Sequence, residues 1–330
     1  MKKQKDQKTE RSGNGKEAAV YINPKTDFGF KKIFSTGRHA QKRLLHLLKT
    51  FLPELMGNVV SVAFLPTEVL GETESEKRVT FDLYCATNNG DLIIIEMQRA
   101  PQSFFNSRVI TYVCRVISSK VDRGDMEYKI PTVICFCVMD FTPPLLKEES
   151  DFFHVFQITS KRGKLFSEKI SFCLLDLSKF AAPNPGQIKD IQFSDDQHKW
   201  AYILSNLWHM EVQDLTNENE IFRNLFRDCM YSKLTEMEKK EYKKSVLEYY
   251  DVQDAMRCVR EEGREEGREE GRAEGLERGL EEGREQGREE GRAVEKRQLA
   301  RNMLAEGLDP AKVAKISGLT VAEVLAMVNE

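Results

Sequence analysis

Two carboxylates in this chain sit where a charge is expensive. Asp82 falls within Thr80-Phe81-Asp82-Leu83-Tyr84-Cys85, and Glu96 within Leu92-Ile93-Ile94-Ile95-Glu96-Met97-Gln98. Both segments read as strands, being rich in β-branched and aromatic residues, and Asn88-Asn89-Gly90-Asp91 between them is hairpin-turn chemistry. A carboxylate on a buried strand needs something to offset its charge, and a divalent cation is one such partner. Two acids delivered by adjacent strands can converge on one metal ion, which is the arrangement that activates water against a phosphodiester. The plainer alternatives are a solvated strand face for Asp82 and an ion pair from Glu96 to Arg99 or Arg108.

The elements that must position these acids follow from the surrounding pattern. Residues 1–19 are polar and Lys-rich, the composition of a disordered arm. Asn23-Pro24 marks a turn, and Phe28, Phe30, Ile33 and Phe34 supply a hydrophobic anchor. Residues 39–52 read as an amphipathic helix ending before Pro53, and residues 59–70 as a strand interrupted by Pro66. After the two acidic strands, residues 104–120 have the spacing of a helix. Residues 131–138 form a near-continuous apolar run, the pattern of a strand buried on both faces, and residues 170–177 offer another strand. Residues 195–258 are helical in pattern. The order predicts a mixed α/β core over 20–190 with a helical annex over 191–259.

Beyond the annex, glycine recurs at every fourth residue from Gly263 to Gly291, eight times. Each glycine costs about 1 kcal/mol relative to alanine in a helix, so residues 260–292 read as a solvated, partly helical spacer or as a close-packing face for a second copy. Residues 293–330 predict three short helices. Asp309-Pro310 caps the second and Thr320 with Glu323 forms a capping box for the third. The outline is that of a helix-turn-helix, but 321–328 contains no Lys, Arg, Asn or Gln to read a base edge. The unit is therefore expected to dock a partner rather than read DNA.

Net charge is −3, distributed unevenly: residues 1–20 and 21–190 each carry a local excess of three positive charges, and 191–330 an excess of nine negative ones. A mildly basic N-terminal half permits nucleic-acid binding. The chain has no run of ~18 apolar residues, and its N-terminus lacks an apolar signal region, so a cytoplasmic protein without a membrane span is expected. The seven cysteines and five histidines show no metal-ligand spacing.

Three segments in this order carry a family resemblance: Asn23-Pro24-Lys25-Thr26-Asp27-Phe28-Gly29-Phe30-Lys31-Lys32-Ile33-Phe34, then Phe81-Asp82-Leu83-Tyr84-Cys85, then Ile94-Ile95-Glu96-Met97-Gln98. Phe105, Arg108 and Tyr112, with Val138-Met139-Asp140-Phe141, extend it. Over roughly 20–255 the chain resembles the PD-(D/E)XK nuclease family transposases, the recombination-promoting nucleases of the Rpn type. The Glu-Gly-Arg run is a familiar C-terminal feature of such sequences. The resemblance implies a restriction-endonuclease-like core, a mixed central sheet flanked by helices, and Mg²⁺- or Mn²⁺-dependent DNA cleavage linked to recombination or mobile elements. Asp82 and Glu96 would be the metal-binding acids. Gln98 stands where the usual pattern has lysine and can orient water only through hydrogen bonds; a catalytically weak or inactive scaffold that binds DNA or protein is therefore the alternative. Asp27 would be a further acid near the metal, or else a helix cap or turn residue. Glu68 would approach the site or lie at a strand end. Arg108 and Tyr112 would touch phosphate or brace the carboxylates, and Lys31 and Lys32 would contact the DNA backbone. DNA is the implied partner, with self-association through the repeat as a further expectation.

Overall fold

The computed structural model describes residues 20–69, 79–121, 129–180, 195–212, 215 and 218–328. The expected disordered arm, residues 1–19, lies outside them, as does the end of the strand expected up to residue 70. The chain divides into two compact units between Met256 and Arg257.

The first unit is built on a six-stranded sheet in the order β1-β4-β5-β6-β8-β7. Its strands are β1 (Val62–Phe64), β4 (Leu83–Thr87), β5 (Leu92–Gln98), β6 (Val133–Met139), β7 (Phe153–Thr159) and β8 (Leu165–Asp176). Strands β5, β6 and β8 are parallel neighbours, while β1 with β4, β4 with β5 and β7 with β8 are antiparallel. The mixed sheet expected from the pattern is thus present. A separate two-stranded ribbon pairs β2 (Glu68–Val69) with β3 (Val79–Thr80).

Helices cover both faces of the sheet. One face buries Leu83, Ile93, Ile95, Phe136 and Val138 against α1 (Asp27–Phe34), α2 (Ala40–Phe51), the short α3 (Pro53–Met56), α5 (Asp196–Asn206) and α6 (Glu220–Asp228). The other packs Tyr84, Ile94, Cys135 and Cys137 under α4 (Phe105–Ser118) through Phe105, Val109, Val113 and Val116. Central strands covered on both sides must be apolar throughout, and all seven residues of β5 and of β6 are buried. Trp200, Ile203, Phe222 and Leu225, from the segment expected as an annex, share one core with Ile33, Leu44 and the sheet. Arg43 is fully buried, donating to the Ile33 carbonyl at 2.7 Å and to Asp228 Oδ2 at 2.7 Å, which ties α1, α2 and α6 together.

Three local outcomes depart from the sequence pattern. The phenylalanine-rich anchor is a helix, α1: Thr26 caps it by accepting the Gly29 amide, and the Thr26 hydroxyl donates to the Asn23 carbonyl at 2.8 Å. Glycine is required at 29 because a Cβ there would lie 1.9 Å from the Asn23 carbonyl oxygen. The run from Thr80 to Cys85 is not one strand but breaks at Phe81–Asp82, between β3 and β4. Strand β7, absent from the sequence reading, forms an edge of the sheet. The β4–β5 hairpin turns as expected, with Gly90 at φ +87°, a left-handed conformation that glycine adopts without a Cβ clash.

Helix α7 spans Glu236–Ala305 and includes the glycine repeat, which is continuously helical with every residue from 260 to 292 exposed. In the second unit, the C-terminal end of α7 packs with α8 (Pro310–Ser317) and α9 (Val321–Val328) around Ala300, Val313, Ala314 and Val324. Both expected caps form: Asp309 accepts the Ala311 and Lys312 amides, and Thr320 and Glu323 reciprocate across the start of α9. Among the described residues no helix is long and apolar enough to cross a membrane.

Candidate active site

The hairpin delivers both acids to one place. Leu83 is the first β4 residue, paired with Ile95 of β5. Just before the chain enters the sheet, the Asp82 side chain stands in for the backbone: its Oδ2 accepts the Met97 amide at 2.7 Å. Asp82 is therefore neither on a solvated face nor in a strand; it caps the end of a ladder. Glu96 lies within β5, opposite Cys137 of β6, and is only 2 % exposed. Strand alternation puts Glu96 and Gln98 on the α4 side with Ile94.

The partners are few for a charge so buried. Glu96 Oε2 accepts from Gln98 Nε2 at 3.1 Å and lies 3.5 Å from an Arg108 guanidinium nitrogen. Its Oε1 is buried and has no hydrogen-bond partner. Burial, reinforced by the negative charge of Asp82, pushes the Glu96 carboxyl up to about 8, against the lowering influence of Arg108, of the Asp82 backbone amide and of Gln98. Burial also raises Asp82, outweighing the Met97 hydrogen bond, and the charge of Asp27 adds to the rise while Lys31 and Arg99 oppose it. Asp27, Asp82 and Glu96 thus form one electrostatic neighbourhood.

Arg108 and Tyr112 hold the α4 side. The Arg108 guanidinium donates to the Tyr112 hydroxyl and to Gln102 Oε1, and lies 5.2 Å from the Tyr112 ring centre. Burial raises the Tyr112 phenol, and the charges of Glu96 and Asp82 raise it further, against the lowering influence of Arg108. Arg108, not Arg99, is the cation paired to Glu96. Asp27 is the first residue of α1 and not its cap, which is Thr26; it pairs with Lys31 at 2.9 Å. Lys32 is instead held by Glu238 at 2.5 Å. Glu68 is exposed in β2, opposite Thr80.

The sequence reading did not single out a buried network behind Gln98. The Asp140 amide donates to the Gln98 carbonyl at 2.9 Å. The Asp140 carboxylate pairs with Lys25 at 2.5 Å and accepts from the Tyr249 hydroxyl at 3.0 Å. The available signal was Asp140 itself, an acid directly after an apolar strand.

A divalent cation fits this donor set. Among the described residues no group of three or more His, Cys, Asp or Glu is arranged to hold a metal. Two buried carboxylates with raised pKa values, one raised in part by the charge of the other and carrying an orphaned oxygen, suit a Mg²⁺-type ion, which is commonly held by one or two carboxylates and completes its shell with water and phosphate.

Fold and site define a restriction-endonuclease-like α/β core with paired acids on a central hairpin. The chain belongs to the family described as PD-(D/E)XK nuclease family transposase, which matches residues 24–258. Residues 294–327 match a second description, the Rpn/YhgA-like nuclease family, C-terminal HTH domain. The helix-turn-helix outline read in the sequence of the second unit agrees with that description. Its last helix exposes Val321, Leu325 and Val328. No curated protein and no solved structure matches the chain.

Proposed function

We propose that this protein is a divalent-metal-dependent DNA endonuclease that hydrolyses phosphodiester bonds in recombination or mobile-element processes, with Asp82 and Glu96 as its metal-binding acids. The observation that carries the reading is the Glu96 carboxyl, buried in the sheet with Oε1 unpartnered beside a second carboxylate. Mg²⁺ or Mn²⁺ bound there would offset the paired negative charge and act as a Lewis acid toward a phosphoryl oxygen.

The chain's own groups divide the remaining work. Gln98 donates its amide to Glu96, which leaves its carbonyl oxygen to accept a hydrogen from the attacking water. Water adds to phosphorus as the bridging oxygen leaves, so no covalent protein–DNA intermediate is needed. Arg108 braces Glu96 and Tyr112 and carries positive charge for the phosphate. Asp27 tunes Asp82 electrostatically, while Lys31 is a candidate backbone contact. The helix-turn-helix match supports DNA as the partner. Residues 260–292 would serve as a helical spacer or self-association segment, and the cytoplasm is the compartment in which such an enzyme meets DNA.

A second reading, a catalytically silent scaffold on the same fold, is favoured by one observation: Gln98 stands where the standard pattern has lysine, and its amide nitrogen is engaged by Glu96. Incubation with supercoiled plasmid in Mg²⁺ or EDTA, alongside Asp82→Asn and Glu96→Gln, separates the two. Nicking that requires metal and both acids supports the enzyme; an intact plasmid across several divalent metals leaves the scaffold.

A further inference from the structure

A groove of about 520 Å³ in the first unit is walled by aromatic rings: Trp208, Tyr231, Tyr242 and Tyr250, with Lys243 and Leu247 at its sides. The rings support one another, Tyr231 against Tyr242 at 5.8 Å and Trp208 against Tyr250 at 6.4 Å between centroids. Tyr250 and Leu247 are 48 % and 64 % exposed. Tyr242 belongs to the core and Tyr231 packs against it, which leaves Tyr250 as the exposed ring of the groove.

Three observations say what it fits. The Trp208 indole N–H is buried and has no hydrogen-bond partner, an uncompensated donor on a ring that lines the groove. The charged side chain in the lining is Lys243, which disfavours the cationic ligands that aromatic cages otherwise hold and favours an anionic one. The groove is also wired to the candidate site. Trp208 packs edge-on against Tyr249 at 5.7 Å, Tyr249 donates to Asp140, and the Asp140 amide holds the Gln98 carbonyl. A flat aromatic body carrying hydrogen-bond acceptors and a phosphate is a nucleotide.

We infer that this groove binds an unpaired nucleobase of the DNA substrate by stacking, with Lys243 on the adjoining phosphate. The inference rests on the nuclease reading for its substrate and deepens it: the preferred DNA would be single-stranded or locally opened, because a paired base has no free face to stack on a side chain. Tyr250 is the accessible stacking surface, and Tyr249 links occupancy of the groove to the strand end that carries Gln98.

The test is equilibrium binding of the full chain, in EDTA, to a single-stranded oligonucleotide containing 2-aminopurine and to its duplex. The single strand should bind more tightly and its 2-aminopurine emission should be quenched. Tyr250→Ala should weaken single-strand binding by about tenfold or more, while Tyr250→Phe keeps it within about twofold because the ring face remains. Lys243→Gln, at an exposed position, should lower the salt dependence by about one ion. Equal binding by wild type and Tyr250→Ala, or unquenched emission, would overturn the inference, as would displacement of the strand by a trimethyl-lysine peptide. Plasmid cutting by wild type and Asp82→Asn is run in parallel. Quenching without cutting removes the nuclease reading and keeps the groove; cutting that needs Asp82, with Tyr250→Ala binding unchanged, removes the groove alone.

Discussion

Strand β5 and the glycine repeat of α7 are regular structure held by opposite means. Every residue of β5 is buried between two helical layers and paired with β6, and Leu92 to Ile95 are also paired with β4. Every residue from 260 to 292 is exposed, and a Cβ added at any of the eight repeat glycines would meet nothing within 4 Å. In β5 the surroundings dictate side-chain identity so strongly that a charged residue there demands a reason. In the repeat nothing but helix propensity and charge pairing acts on the chain. Glu96 is informative because of where it stands, whereas the many glutamates of the repeat stand where glutamate is unremarkable.

The contrast can be broken most severely at the acids. Glu96→Ala and Asp82→Ala should each reduce metal-dependent plasmid cleavage to below about a hundredth of wild type, read on agarose gels with folding checked by circular dichroism. Next in size, Ile95→Ala in β5 should cost about 2–5 kcal/mol in urea unfolding of the first unit, because Ile95 is fully buried beneath α1 and α2. A smaller effect follows from protonation. With its folded pKa near 8 and the ordinary glutamate value of 4.5, Glu96 retains a proton in the folded, metal-free protein that the unfolded chain releases. Stability in EDTA should therefore fall as pH rises from about 4.5 through about 8, by a few kcal/mol at most. Thermal melts should show that slope in the wild type and a flatter one in Glu96→Gln. Mg²⁺ should stabilise the wild type more at pH 8 than at pH 6, since it competes with that proton. The least perturbing change belongs to the repeat. Gly275→Ala should add helix stability of up to about 1 kcal/mol and leave cleavage unchanged; loss of cleavage would mean that the glycines serve contacts the single chain does not display.

How much of this was legible in the sequence depended on how local the determining interaction is. The hairpin, both acids and the sheet's two-sided burial could be read because turn chemistry and apolar runs are short-range signals. The break at Phe81–Asp82 could not, since the bond that makes it joins Asp82 to Met97, fifteen residues away, across an otherwise continuous strand pattern. Helix α1 is disguised by Asn23-Pro24 and by Gly29, whose small size answers the Asn23 carbonyl pressed against it. Strand β7 hides because its exposed Val155, Phe156 and Ile158 do not alternate with polar residues as a half-buried edge should. Asp140, Lys25 and Tyr249 come together from three distant segments, and no spacing rule reaches that far.

The hydrogen bond from Met97 to Asp82 carries an evolutionary corollary. Residue 82 has an architectural duty, closing the end of a ladder, and under the proposed function a chemical one, lending negative charge. Asparagine would keep the first through its carbonyl oxygen and abandon the second. A working lineage and a silenced one could therefore differ by a single nucleotide, with the architecture inherited intact by both.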